Sequence, residues 1–132
     1  MSNDQPAADN SMQVLPDGII ELTQKGYQTS ASTTQFQPQI DELVRQRRAA
    51  KKPALILSDI SGITGHDTKV RDLAHDMLQS DFDAMAIITG GNITTRLIGN
   101  WLVKLVGVGK RVEFFEAKEE GLAWLKSHKY LD

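Results

Sequence analysis

The sequence predicts an α/β fold: a mixed, mostly parallel sheet of about five strands, opened by an N-terminal antiparallel hairpin and flanked by about four helices. Three observations predict it. Short apolar runs alternate with segments whose apolar residues recur at helical spacing. That alternation continues to the end of the chain, the pattern of parallel strands joined by helical crossovers. Only the beginning departs from it, with two β-favouring stretches and no helix between them.

Taken in order, residues 1–12 offer too little apolar surface to offset the entropy of ordering, so they are expected to be a disordered tail. Residues 13–132 then form a single domain. Ile20 and Leu22 alternate, Lys25-Gly26 reads as a turn, and the β-favouring residues continue through Tyr27. The expected hairpin spans roughly 19–24 and 27–33. Phe36, Ile40, Leu43 and Val44 have helical spacing, Pro38 suits a first turn, and Pro53 forbids continuation. Ala54–Asp59 is a short apolar run and reads as a buried strand.

Val70, Leu73, Ala74, Met77 and Leu78 mark a second helix. Asp83–Thr89 is the next strand, and Ile93, Leu97, Trp101, Leu102 and Leu105 mark a third helix. Arg111–Phe115 is the last strand, and Leu122, Trp124 and Leu125 place a closing helix at about 117–129.

Composition narrows the function. The net charge of −2 gives no global electrostatic case for binding nucleic acid. Cysteine is absent, which excludes disulfides, thiolate catalysis and thiolate metal sites. The polar start has no apolar core of a secretory signal, and no apolar run approaches the length of a membrane span. The expected location is the cytoplasm, with peripheral membrane contact as the variant.

No cofactor or metal is expected. Gly107-Val-Gly-Lys110 fails the spacing of a phosphate-binding loop, and Gly90-Gly91 lacks the rest of a dinucleotide fingerprint. His66, His75 and His128 have no ligand spacing. Five cations in Arg45–Lys52 read as a solvated helix end, whose dipole favours them.

Chemistry concentrates after the strand at Ala54–Asp59. In open α/β sheets, ligands bind beyond the carboxyl ends of strands. If that strand neighbours Asp83–Thr89, then Asp59, Ser61, Thr64, His66, Asp67, Thr68, Thr89 and Asn92 converge on one rim. The plainest reading is a helix start, with Thr64 opening a capping box or Asp67 itself as the cap. His66 beside Asp67 offers a weaker acid–base pair, unsupported by any nucleophile motif, so no catalytic residue is assigned. Thr68 is the third reading: a hydroxyl in a first helical turn sits where negative charge is favoured, so it is a candidate phosphoacceptor. On the helix from Ile93 to Val106, Leu97, Trp101 and Val103 belong to a broad apolar arc. It reads first as core and second as a shelter for an apolar ligand.

Leu57–Thr68, with Asp59 ending the strand and Asp67-Thr68 opening the helix, resembles the central motif of STAS domains, the sulfate-transporter and anti-sigma-factor-antagonist fold. Asp59-Ile-Ser-Gly-Ile63 is similar to stressosome-type members. Asp67-Thr68-Lys69-Val70 departs from the Asp-Ser-Ser-Gly of sporulation-type antagonists. Phe82–Ile88, Arg111–Phe115 and Ala123-Trp124-Leu125 resemble the SpoIIAA-like branch, which shares its architecture with CRAL-TRIO lipid-binding domains; Asp83 stands where that branch has a basic start. The resemblance implies a non-enzymatic regulatory module. Its expected partner is a protein, a kinase or an anti-sigma-like regulator, with Thr68 at the acceptor position. It also implies lipid or membrane association as the alternative, and it leaves room for a homo-oligomer.

Overall fold

The computed structural model describes residues 7–70, 72–73, 81–91 and 111–127. Five strands form one sheet: β1 (Ser11–Val14), β2 (Ile20–Gln28), β3 (Leu55–His66), β4 (Ala84–Ile88) and β5 (Arg111–Phe115). Their order in the sheet follows their order in the chain. β1 and β2 are antiparallel; β2, β3, β4 and β5 are parallel. The helices described from end to end are α1 (Ser30–Thr34), α2 (Gln37–Ala49) and α3 (Lys118–Ser127); a further helix begins after Asp67. This is the predicted mixed sheet with an antiparallel N-terminal pair. Most of the helix expected from Val70 and all of the helix expected from Ile93 lie outside the described residues.

β4 and the first half of β3 are buried on both faces, as parallel strands covered by helices must be. Alternation sends Ile20, Leu22, Ile56, Met85 and Ile87 to one face, where Ile40 and Val44 of α2 meet them. It sends Leu55, Leu57, Ala84, Ala86 and Ile88 to the other, against Leu125 of α3. Gly121 lets α3 approach closely: a Cβ there would stand 2.6 Å from Ile88 Cδ1.

Local chemistry explains the ends of the helices. Pro38 lies in the first turn of α2. At its other end Lys52 N donates to Arg47 O at 2.9 Å and Lys51 N to Arg48 O at 3.0 Å, with Lys51 left-handed at φ 58. This is the Schellman pattern, closed here by lysine instead of glycine. Arg48 pairs with Asp81 and Asp83, Arg45 with Glu42, and Arg47 Nε donates to Pro53 O. Asp83 also accepts from Ala54 N at 2.7 Å, clamping the starts of β3 and β4. The arginines of the cationic segment thus have intramolecular partners.

Three expectations are corrected. The hairpin lies one strand earlier, because Ser11–Val14 pairs with Ile20–Gln28. Its turn is Leu15–Ile19, closed by Gly18 N donating to Leu15 O at 2.8 Å, with Gly18 at φ 88. Pro16-Asp17-Gly18 is a turn signature in its own right. Gly26, read as the turn, has φ 79 inside β2, where the register with β3 shifts between Gly26 and Tyr27. It serves a bulge.

Residues 7–12, expected within a disordered tail, are placed against β2. Asn10 and Gln28 exchange amide hydrogen bonds at 3.0 and 3.1 Å, and Ser11 and Met12 belong to β1. Residues 30–34, expected largely as strand, form α1, whose cap Thr29 accepts from Ser32 N while Thr29 N donates to Ser32 Oγ.

Candidate functional site

β3 and β4 are parallel neighbours, with Asp59 opposite Ile88. The ends of the two predicted strands therefore meet, as the rim required. Asp59 is half-buried and its Oδ1 accepts from Ser61 N at 3.0 Å and Ser61 Oγ at 2.6 Å. Ser61 touches the loop after β4, since a Cβ on Gly90 would lie 2.6 Å from Ser61 Cβ. Thr89 is buried, and both its N and its Oγ1 donate to Phe115 O, at 2.8 and 3.3 Å. Its hydroxyl is directed to β5 and holds the sheet.

The rest of the predicted rim lies elsewhere. β3 does not stop at Asp59; it continues through His66, paired with Lys25–Gln28 of β2. At ~3.3 Å per residue, the run from Asp59 to His66 spans roughly 20 Å. Thr64, His66, Asp67 and Thr68 are therefore carried away from Asp59, Ser61 and Thr89. The loop expected from 58 to 69 is mostly strand, because Ile60 and Ile63 are buried in the core and hold the chain extended over the two glycines. Asn92, Leu97, Trp101 and Val103 lie outside the described residues, as does Gly107–Lys110.

At the far end of β3, Asp67 is the cap: its Oδ1 accepts from Lys69 N at 3.0 Å and Val70 N at 3.2 Å. Thr64 is an exposed strand residue and opens no capping box. His66 Nδ1 lies 2.9 Å from the main-chain carbonyl of Asp67, so that nitrogen carries the proton and donates. The Asp67 carboxylate faces the helix instead, and the acid–base pair suggested by adjacency is not formed. Thr68 is exposed, immediately after the cap and beside exposed Lys69.

Pairing also brings in a residue the sequence reading overlooked. Gln28 is opposite His66, and Asp67 N donates to Gln28 O at 3.1 Å. Thr29, exposed at the start of α1, therefore stands beside Asp67-Thr68. Its signal was Thr29-x-x-Ser32, a capping box with serine at the position usually held by Glu or Gln.

A model of the SpoIIAA-like family matches residues 19–126. The chain belongs to the SpoIIAA-like family. The fold agrees: an uncharacterised protein of the DUF3478 family from Shewanella loihica PV-4, with a SpoIIAA-like fold, superposes with a TM-score of 0.65 at 21% identity, over 95% of this chain and 98% of that one. None of the curated proteins compared with it matches. As a SpoIIAA-like chain it is a STAS-type module, and Asp67 is the residue found capping the helix that follows. Among the described residues no helix is long and apolar enough to cross a membrane.

Proposed function

We propose that this SpoIIAA-like module is non-enzymatic and acts by recognising a protein partner through the surface at the far end of β3, with Thr68 as its modification point. The supporting observation is the placement of Thr68. It is exposed directly after Asp67, whose carboxylate already caps the helix. A partner or a modifying enzyme can reach the hydroxyl without opening the core. A phosphate there adds about −1.5 to −2 charges to a surface whose neighbours are Thr29, His66 and Lys69, and so changes what a partner meets.

The test compares wild type, Thr68→Ala and Thr68→Glu for the proteins captured from the native host and the affinity for each, with thermal unfolding alongside. Capture that differs between the alanine and glutamate variants, at nearly equal melting temperature, supports the reading. Identical partners and affinities for all three forms refute it.

A further inference from the structure

Among the described residues β1 is the outermost strand on its side of the sheet. Its ladder with β2 has a definite phase, because hydrogen-bonded pairs recur at every second residue of an antiparallel pair. Asp9 N donates to Lys25 O at 3.0 Å and Leu15 N to Ile19 O at 2.9 Å. Odd-numbered residues of this strand thus bond to β2, and Met12 and Val14 turn their N–H and C=O groups outward.

Natural sheets protect such an edge with charge, proline or a bulge. Ser11–Val14 has none of these: it is uncharged, lacks proline and keeps an unbroken register with β2. Val14 is also 49% exposed, the large hydrophobic left open among the described residues. Two residues apart on one strand, Val14 and Met12 share a face, and Met12 packs against the core under α2.

We propose that β1 pairs antiparallel with β1 of a second copy, about a two-fold axis at Gln13. In this register Met12 lies opposite Val14 of the second copy, and Val14 opposite its Met12. Both are hydrogen-bonded pairs, so every outward backbone group of Met12 and Val14 is matched. The exposed Val14 side chain is covered by Met12 of the second copy. On the opposite face the two Gln13 side chains meet across the axis.

Sliding the strands by two residues is worse either way. It sets Val14 against Asn10 or Met12 against Pro16, both outside β1, so the outward groups of Met12 and Val14 are no longer all matched within the strand. The strand's own sequence is thus complementary to itself, and a second copy is the occupant that satisfies it. The two sheets become one continuous sheet. The contact is short, below the ~1,200 Å² of a standard stable interface, so the association is weak.

Sedimentation of the full chain from ~10 µM to ~1 mM tests this. The expected result is a monomer–dimer equilibrium that weakens at least ~10-fold in Val14→Lys. Amide exchange at Met12 and Val14 slows as concentration rises. Circular dichroism checks that Val14→Lys is folded; Gln13→Lys, a second exposed position at the axis, weakens the dimer by like charge if the first variant is not. A monomer at every concentration overturns the proposal, as does a dimer indifferent to both substitutions. So does protection of Met12 and Val14 by an added extended peptide while the chain stays monomeric, which assigns the edge to a foreign strand. Thr68→Glu leaves the equilibrium unchanged, so this outcome is read separately from that of partner recognition.

Discussion

Lys118 Nζ lies 2.6 Å from Oε2 of Glu21, joining the first turn of α3 to β2 through a carboxylate that is only 4% exposed. Glu21 Oε1 accepts from Gln13 Nε2 at 2.6 Å, the cross-strand partner on β1. Burial alone would raise the Glu21 pKa; the hydrogen bonds from Lys118 and Gln13 and the Lys118 charge outweigh it, and the net shift is downward. A carboxyl whose pKa is lower folded than unfolded contributes stability that is present above its unfolded pKa and lost as pH falls through the folded value. Wild type is therefore expected to lose its advantage over Glu21→Gln as pH falls below about 4.5. Denaturant unfolding at stepped pH measures this, and a gap equally large in strong acid contradicts it.

Gly121 predicts a reversal of helix propensity. Alanine is the better helix former by about 1 kcal/mol. Yet its Cβ here would meet Ile88 Cδ1 at 2.6 Å, and Ala86 Cβ and Leu57 Cδ1 at 3.2 Å. Gly121→Ala is expected to destabilise by about 1–3 kcal/mol, as overpacking does. Thermal unfolding decides it; a gain in stability means that α3 shifts away at little cost.

Lys51 predicts the opposite result. It holds φ 58 where helices usually place glycine. Lys51→Gly is expected to stabilise by about 1 kcal/mol, since a left-handed conformation costs a side-chain-bearing residue about 1–2 kcal/mol. The denaturation midpoint should rise with the slope unchanged.

Asp67 separates capping from recognition. Asp67→Ala removes the acceptor for Lys69 N and Val70 N and is expected to cost about 0.5–2 kcal/mol, whereas Asp67→Asn retains most of it. Thr68→Ala should change stability by less than about 0.5 kcal/mol, because the residue is exposed and outside these bonds. Equal losses at both positions would tie Thr68 to the fold instead of to a partner.

The parts legible in the sequence are those where burial sets the pattern. Arg111–Phe115 matches β5 residue for residue, and Asp83–Thr89 brackets β4, because short apolar runs between polar segments leave few alternatives. The adjacency of Asp59 and Thr89 was conditional on their strands being neighbours, and the pairing of β3 with β4 meets that condition. β3 was cut short because Ser61, Gly62, Thr64 and Gly65 read as loop residues, while the burial of Ile60 and Ile63 keeps that stretch in the sheet. The hairpin was displaced because a glycine with positive φ can serve a turn or a bulge. Only the partner strand tells which, and β1 lay in a segment too polar to suggest one. Thr29 escaped notice because a parallel register, invisible in a single strand, sets it beside Asp67.

The strand order β1 to β5 has a consequence for how the molecule is made. Each strand docks against the one synthesised just before it, so the sheet can grow from one margin to the other as the chain leaves the ribosome. α3 emerges last among the described elements and reaches back to the beginning, with Lys118 on Glu21 and Lys126 on Asp17. A chain released before that helix would hold its strands in the right sequence but lack the cover that Leu122, Trp124 and Leu125 give one side of the sheet. The two ends of α3 act as the clasp on the hairpin made first.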